Sequence, residues 1–133
     1  MTASKITVTT RIEREMVDIT EKVRAVIDQS KVKNGLCHIF LPHTTAAITI
    51  NENQDPSVAR DIMRAMDRLV PWDTIFEHNE GNSSAHIKSS IIGISKQIPV
   101  DNGMMKLGPW QGIFLIEFDG PRQRDVFIKV VEC

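Results

Sequence analysis

Short turns rich in Gly, Asn and Pro divide the second half of the chain, and they restrict its fold more than any other feature. Asp101-Asn102-Gly103 has the composition of a hairpin turn, because Asn and Gly accept the positive φ that tight turns require. A second turn, Asp-Gly-Pro-Arg at 119–122, separates the β-rich runs 113–118 and 125–131. Since tight turns join antiparallel strands, the carboxyl-terminal third is predicted to be mainly antiparallel sheet.

The rest of the chain switches between the period-2 pattern of strands and the 3.6-residue pattern of helices. Further strands are predicted at 5–13, 36–41, 46–51 and 95–100. Helices are predicted from the capping pair Asp18 and Glu21 to Asn34-Gly35, from Asp55-Pro56 to Pro71, and over 85–92 with Ser83 or Ser84 as the cap. Because no repeat or linker interrupts the 133 residues, they are interpreted as one α+β domain, 1–133, with two or three helices.

Charge and composition argue against several classes of partner. The 16 Lys and Arg residues nearly balance the 17 Asp and Glu residues, so no global positive field attracts nucleic acid or an anionic membrane. No apolar run approaches the roughly 20 residues that span a bilayer, and the first residues do not resemble a signal peptide. The two cysteines show no metal-ligand spacing, and Cys37 is predicted to be a small core residue. A cytoplasmic location, without nucleic-acid or membrane partners, is therefore expected.

Three of the four histidines lie in polar, irregular segments and are the candidate metal ligands. His43 interrupts a predicted strand, while His78 and His86 flank a polar loop. Three neutral imidazoles suit Zn²⁺ and leave a fourth position for water or substrate. His38 differs because a regular strand places it on one face with apolar neighbours, so it is interpreted as a core or interface residue. Spacing alone does not prove convergence, and three unrelated surface histidines stay the alternative.

Carboxylates and anion-binding groups accompany these histidines. Glu52 and Glu80 are candidate ligands or acceptors that orient an imidazole. The turn 82–84 leads into a predicted helix amino terminus, where N–H groups without partners favour a phosphate. Arg122 and Arg124 offer bidentate donors to phosphate or carboxylate oxygens.

Other residues are interpreted without a chemical role. Lys88 follows His86 by two positions and is more typical of a solvated charge than of a catalytic amine. Trp110 is interpreted as an ordinary core side chain. The chain contains no tyrosine, so histidines and carboxylates must supply any acid or base.

Several blocks of sequence together indicate a family resemblance. They are His43-Thr44-Thr45-Ala46-Ala47, Asn51-Glu52-Asn53, His78 with Glu80-Gly81, Ala85-His86-Ile87-Lys88, Leu107-Gly108-Pro109-Trp110-Gln111-Gly112 and Asp119-Gly120-Pro121-Arg122. The blocks stand in the family's order over nearly the whole chain, and the chain resembles the YjbQ-like family. The resemblance implies an α/β sandwich of complex topology, a homotrimer, and a metal pocket lined by His43, His78 and His86.

The resemblance also implies an activity, because members of the family have been described as thiamine-phosphate synthases. That reaction joins a hydroxymethylpyrimidine diphosphate to a thiazole phosphate and releases diphosphate. The expected metal is zinc, with magnesium as an alternative for a diphosphate substrate.

Glu52 and Glu80 are the expected catalytic carboxylates. The expected contacts of the phosphorylated small molecule are Thr44, Asn51, Asn82, Ser83, Ser84, Lys88, Gln111 and Arg122. Phe76 stands where some members have tyrosine, so a phenolic oxygen is lost there.

Two other functions stay open. A metal-dependent hydrolase would activate its bound water near neutral pH and release phosphate without a condensation product. A non-catalytic trimeric module that sequesters a metal or a phosphorylated ligand would bind tightly without turnover.

Overall fold

The fold combines eight strands and three helices within residues 2–73, 75–78 and 80–133, which the computed structural model describes. In chain order the elements are β1 (Thr2–Thr9), β2 (Glu15–Asp18), α1 (Thr20–Ser30), β3 (Gly35–Phe40), β4 (Ala46–Glu52), α2 (Pro56–Leu69), α3 (Ser83–Ile92), β5 (Ser95–Asp101), β6 (Met104–Met105), β7 (Gln111–Glu117) and β8 (Gln123–Glu132). The predicted α+β class is thereby confirmed.

The strands form two antiparallel sheets. Five strands pair in the order β1-β8-β3-β5-β6, and three pair in the order β2-β7-β4. In the smaller sheet Ala46 pairs with Glu117 at one end, and Glu52 pairs with Gln111 at the other. The predicted hairpin between β5 and β6 is confirmed, with positive φ at Asn102 (53°) and Gly103 (78°).

The core has two parts, one on each face of the smaller sheet. The main cluster joins the inner faces of both sheets with α1, and includes Val23, Ile39, Leu115 and Ile128. The second cluster lies on the opposite face of the smaller sheet, where Ala47, Ile116 and Phe118 group with Ala85 of α3 and Met63 of α2. The layers are therefore the large sheet, the small sheet, and the pair α2 and α3.

The predicted second helix is confirmed at both ends. The Asp55 carboxylate accepts a hydrogen bond from the Ser57 amide (2.9 Å), and Pro56 is the first helical residue. Asp at the cap followed by Pro suits the first turn, where amides have no helical partner. The helix ends at Leu69, two residues before Pro71.

The first helix is shorter than predicted. It ends at Ser30, and Lys31 adopts a left-handed conformation (φ 62°), whereas the prediction placed the stop at Asn34-Gly35. Gly35 instead opens β3, where a Cβ atom would lie 1.9 Å from the carbonyl oxygen of Val131. This glycine is required by close approach of a neighbouring strand and not by a helix end. The predicted strand 5–13 was also too long, since β1 ends at Thr9 and residues 15–18 form a separate strand.

The prediction that a serine caps the third helix was wrong. Asn82 holds the N-cap position, and Ser83 is already helical. The Ser84 hydroxyl instead donates to the carbonyl oxygen of Val70 (2.8 Å) and ties the start of α3 to the end of α2.

The outer face of the large sheet carries no helix among the described residues. Phe40 (39% exposed), Phe127 (44%) and Val131 (37%) form its apolar part. His38 lies on this face, cross-strand from Lys129, as its predicted alignment with Phe40 requires.

Two single-residue interpretations have opposite outcomes. Cys37 is fully buried, as predicted, and burial raises the pKa of its thiol to about 11. Trp110 is 62% exposed, so its interpretation as a core side chain was wrong. None of the described helices has the length and apolar content needed to cross a membrane.

Candidate functional site

Two clefts meet at the end of the small sheet where β4 begins and β7 ends. The first, here called the polar cleft, has a volume of about 270 Å³ and is lined by Thr44, Thr45, His78, Glu80, Asn82, His86, Asp119 and Arg122. The second, here called the adjoining cleft, has a volume of about 340 Å³ and is lined by His43, Thr44, His86, Ser89, Ser90, Gly93 and Ile94. Thr44 and His86 line both clefts, whereas His43 lines only the adjoining cleft and His78 only the polar cleft.

Sheet register brings the separate chain segments to this place. Ala46 pairs with Glu117, so the segment before β4 and the turn after β7 lie at the same end of the sheet. The Ser89 hydroxyl donates to the carbonyl oxygen of Ala46 (2.7 Å) and fixes α3 against this end. The helix thereby presents Asn82 at its start and His86 one turn later.

His78 and His86 form an edge-to-face pair. Their ring centroids are 5.3 Å apart, and the ring planes are nearly perpendicular at 89°. A carboxylate oxygen of Glu80 lies 3.9 Å from His78 Nε2, a distance at which it would attract a protonated ring but that is too long for a hydrogen bond. Both partners are largely exposed, so this attraction is weak in water.

Asn82 carries an unusual buried acceptor. Its side-chain nitrogen donates to Asp119 Oδ2 (2.9 Å), whereas its carbonyl oxygen Oδ1 is buried without a hydrogen-bond partner in the described residues. An N-cap carbonyl ordinarily accepts from an amide of the first turn, but no such side-chain bond forms at α3. A buried acceptor without a donor is costly, so this atom suits a ligand that brings a donor or a positive charge.

The turn after β7 supplies the guanidinium of the polar cleft. Arg122 Nε donates to the carbonyl oxygen of Asp119 (2.8 Å), and Nη2 donates to its carboxylate (3.1 Å). Asp119 thus orients both Arg122 and Asn82. Asp119 was predicted only as part of a turn, and its contacts with two cleft residues could not be read from that pattern.

A buried ion pair underlies this turn. Glu117 is fully buried and Arg124 is 2% exposed, and they form a two-point contact through Nε and Nη2 of the arginine. Arg124 Nη2 also donates to the hydroxyl of Thr45 (2.8 Å), and the Thr10 hydroxyl donates to Glu117 Oε1 (2.8 Å). Arg124 was predicted to offer its donors to the phosphate or carboxylate of a ligand, whereas it is buried and its two-point partner is Glu117 of the protein itself.

The ion pair controls the protonation of Glu117 and the position of the turn. Burial alone would raise the pKa of Glu117, but hydrogen bonds from Arg124, the Asp119 amide and Thr10 outweigh it and hold that pKa below its usual value. The same amide of Asp119, 3.0 Å from Glu117 Oε2, fixes the start of the turn. A charged residue inside an apolar strand run, Glu117 after Ile113 to Ile116, was the available sequence signal.

His43 is held differently from the other two histidines. Its Nε2 accepts a hydrogen bond from the Asp125 amide (2.9 Å). Burial, followed by the charge of Arg124, lowers its pKa, which favours the neutral ring. A neutral ring that accepts at Nε2 carries its proton on Nδ1.

Three predicted site residues lie at the far end of the small sheet. Asn51, Glu52 and Gln111 are separated from Ala46 and Glu117 by most of the β4–β7 ladder, a distance of roughly 20 Å at 3.3 Å per residue. The expectation that they join the histidines within one chain is therefore corrected. The cause is that β4 is a continuous strand, so residues close to His43 in sequence are carried away from it.

Three more residues that were expected to contact the substrate line neither cleft. Lys88 is fully buried, and its ammonium group binds Asp67 Oδ1 (2.6 Å), so its interpretation as a solvated charge was wrong. Lys88 comes two positions after His86, which corresponds to about 200° around a helix, and this places it on the opposite face. Ser84 is bound to Val70, and Ser83 lines neither cleft.

The side chains of the two clefts include atoms that can bind a metal ion, but they do not form a preassembled metal site. Within the described residues, no three His, Cys, Asp or Glu side chains form a ready-made metal group. The imidazoles of His78 and His86, with the buried Asn82 carbonyl oxygen, supply acceptors of the right kind. A neutral His43 could coordinate through either nitrogen only by losing its hydrogen bond to Asp125. Coordination of a metal by all three histidines would therefore require this hydrogen bond to break.

A two-sheet α+β protein with a histidine-lined polar cleft at one end of its small sheet is the class that fold and site define. The sequence model of the family described as "UPF0047 protein YjbQ-like" matches residues 4–133. The chain therefore belongs to the YjbQ/UPF0047 family.

Relatives from archaea and bacteria support this assignment. UPF0047 protein MJ1081 of Methanocaldococcus jannaschii is 50% identical over 127 residues, covering 96% of this chain and 92% of that protein. UPF0047 protein YugU of Bacillus subtilis is 48% identical over 118 residues, covering 88% and 89%.

Solved structures share the fold. The crystal structure of an uncharacterized conserved protein of the family from Clostridium acetobutylicum has a TM-score of 0.94 at 48% identity, covering 96% of this chain and 99% of that chain. A YbjQ-like protein of unknown function from Sulfolobus solfataricus has a TM-score of 0.96 at 34% identity, covering 99% and 97%.

Proposed function

We propose that this protein is a metal-dependent enzyme acting on a phosphorylated small molecule, with thiamine-phosphate synthesis as the most concrete reaction. The observation that carries the proposal is the presence of three histidines, Asn82 and Arg122 in the walls of two neighbouring clefts. Metal-binding acceptors and anion-binding donors thereby lie side by side, as catalysis on phosphate groups requires.

The anion would bind between Arg122 and the start of α3. The side chain of Arg122 is half exposed, and its present partner Asp119 leaves Nη1 available to a phosphate oxygen. First-turn amides of a helix and its positive dipole end add further attraction for an anion. In the synthase reaction these groups would stabilise the negative charge that develops on diphosphate as its bond to the pyrimidine methylene carbon breaks and the thiazole nitrogen bonds to that carbon.

The metal would be held by His78 and His86, with His43 as the third ligand. Zinc is the metal that suits imidazoles, and it would supply Lewis-acid stabilisation of charge on phosphate oxygens. Glu80 lines the same cleft and is the carboxylate that would accept or donate protons or orient a ligand. Glu52 does not take part in this proposal, because it lies at the far end of β4.

The homotrimer is kept as part of the proposal. Its support is the apolar outer face of the large sheet, where exposed Phe40 and Phe127 neighbour each other across β3 and β8. Exposed apolar patches of this kind mark association surfaces. Phe127→Glu is expected to reduce the molar mass measured by sedimentation equilibrium, while a mass equal to one chain in the parent protein would refute the trimer.

Elemental analysis tests the metal. About one zinc ion per chain is expected in untagged protein, and a His43→Ala/His78→Ala/His86→Ala variant should lose it. His38→Ala is the matched control, because this fourth histidine lies on the outer face of the large sheet and should leave zinc content unchanged. A parent protein that stays empty after incubation with zinc, manganese and cobalt would overturn the metal site.

An NMR experiment tests the third ligand. If zinc replaces the hydrogen bond between His43 and the Asp125 amide, the Asp125 amide resonance should shift on zinc addition. An unchanged resonance in zinc-loaded protein would exclude His43 from the ligand set.

A substrate assay tests the reaction. Incubation with the pyrimidine diphosphate and the thiazole phosphate should yield thiamine phosphate and diphosphate in equal amounts, and Arg122→Ala should reduce the rate. Phosphate release without condensation would favour the hydrolase instead. Tight binding of both compounds without any turnover would favour the non-catalytic module.

A further inference from the structure

A groove separate from the two clefts lies between β2 and α2. Its volume is about 480 Å³, and it is lined by Ile12, Arg14, Glu15, Met16, Ala59, Arg60, Met63, Arg64 and Asp67. None of these residues lines the polar cleft or the adjoining cleft. Its apolar part consists of the half-buried Met16 and Met63 with Ile12, which is 58% exposed. Methionine is flexible, so such a floor can adapt to the side chains of a bound partner.

The β2 wall of this groove is the edge of a sheet. β2 pairs only with β7, and among the described residues no other element forms a backbone hydrogen bond with it. Consecutive strand residues point to opposite faces of a sheet, and both Glu15 and Met16 line the groove. The groove therefore follows the strand edge and not a single face. Backbone groups at such an edge can pair with an added strand.

The two carboxylates of the groove already have partners within the chain. Glu15 Oε2 accepts a hydrogen bond from the Arg11 amide (2.5 Å). Asp67 Oδ1 lies 3.4 Å from Arg14 Nε and 2.6 Å from Lys88 Nζ, so two cations share one carboxylate. These acids therefore do not balance the remaining positive charge of the groove.

The remaining positive charge comes from two arginines of α2. Arg60 and Arg64 are exposed, and within the part of the chain that the structure describes neither forms an ion pair. They are four residues apart, so they leave the helix on the same side, next to each other. Carboxylates are the protein groups that match guanidinium donors.

We infer that this groove binds an extended, acidic segment of a partner protein, which pairs with β2 as an added strand and places carboxylates against Arg60 and Arg64. Four residues of β2 give a pairing length of about 13 Å. Every second side chain of the segment points toward α2, where an apolar one contacts Met63. No aromatic side chain is among the described lining residues, so the groove lacks the stacking surface that single-stranded nucleic acid uses. The inference is independent of the proposed function.

Fluorescence anisotropy with the full-length protein tests the charge match. The probe is a fluorescein-labelled heptapeptide, Ser-Val-Ser-Glu-Ser-Glu-Ser, and it should bind more tightly than the same peptide with Lys in place of Glu. Arg64→Glu should weaken binding of the acidic probe by about tenfold or more. Arg68→Glu is the matched control, because it makes the same charge change at an exposed position of α2 outside the groove and should keep the parent's affinity.

Two N-methylated probes test the pairing with β2. One carries N-methyl groups on its serines, and the other carries them on its valine and glutamates. Because alternate amides of a strand point to the same neighbour, one of these probes should lose binding and the other should keep it. No difference between them would overturn strand addition. Failure of the parent to bind the acidic probe, or an unchanged affinity in Arg64→Glu, would overturn the site.

Two further results would replace the partner protein by another occupant. A lower molar mass of Arg64→Glu than of the parent in sedimentation equilibrium would show that the groove joins copies of this chain. Tighter binding of fluorescein-labelled oligothymidylate than of the acidic peptide would show that it is a nucleic-acid surface. Either result would overturn the inference.

Discussion

The two ends of the β4–β7 ladder both carry polar side chains, but these side chains differ in how deeply they are buried. At the cleft end, Thr45, Glu117 and Arg124 are buried and bonded to one another. At the far end, Glu52 is only half-buried and Gln111 is exposed. The contrast teaches that a functional site is better recognised by its desolvated support than by the polarity of its residues, because hydrogen bonds shielded from water hold side chains in place.

The largest expected effect comes from breaking the buried pair. Glu117→Gln leaves Arg124 charged in the core without a counter-ion, and unfolding in urea should show a loss of about 3–5 kcal/mol. The same substitution at the far end, Glu52→Gln, should change the free energy of unfolding by less than about 0.5 kcal/mol. Equal losses at the two sites would remove the contrast between the ends of the ladder.

A double substitution separates the effect of the buried pair on stability from its effect on the position of the turn. The double variant Glu117→Leu/Arg124→Met removes both charges, so it should be less destabilised than Glu117→Gln, because no charge is left unpaired. It also removes the acceptor of the Asp119 amide, so the turn that carries Arg122 should shift and affinity for inorganic phosphate should fall. Recovered stability with unchanged phosphate affinity would show that the pair does not position the turn.

The pH dependence of the free energy of unfolding should test the same pair, with a smaller effect than substitution. Because the folded-state pKa of Glu117 is depressed, its contribution to stability is present above the usual Glu pKa of about 4.3 and is lost as pH falls through the lower folded value. The stability of Glu117→Gln should therefore decline less steeply than that of the parent in this acidic range. Parallel pH profiles of urea unfolding would contradict the role assigned to this carboxylate.

The smallest effect is expected at His43. Its pKa is lowered by burial and by Arg124, so the metal-free protein should show an NMR titration midpoint below the usual value of about 6.5. The unfolded chain accepts the proton first, so the small stabilisation present above that value is lost as pH falls toward the folded pKa. A midpoint at or above 6.5 would show that burial and Arg124 do not control this ring.

Local patterns predicted the elements well and the supports of the site poorly. Asp55-Pro56 and Asp101-Asn102-Gly103 act through neighbouring backbone groups, so their effects could be read from the sequence. The contacts of Glu117 with Arg124 and Thr10 depend on strand register. Thr10 lies more than one hundred residues before Glu117 in the sequence, so no local pattern predicts their hydrogen bond. Glu52 was misplaced for a different reason, since the predicted strand 46–51 already implied that it lies far from His43.

The opposite faces of α3 have a consequence for how the adjoining cleft could change in evolution. Lys88 ties the helix to α2 through Asp67, and Ser89 ties it to β4, so two contacts that are not part of the polar cleft anchor the backbone. The residue at position 90 can therefore change without moving His86. A helix held in this way is a fixed frame in which the side chain at position 90 can grow or shrink in the course of evolution while His86 keeps its place.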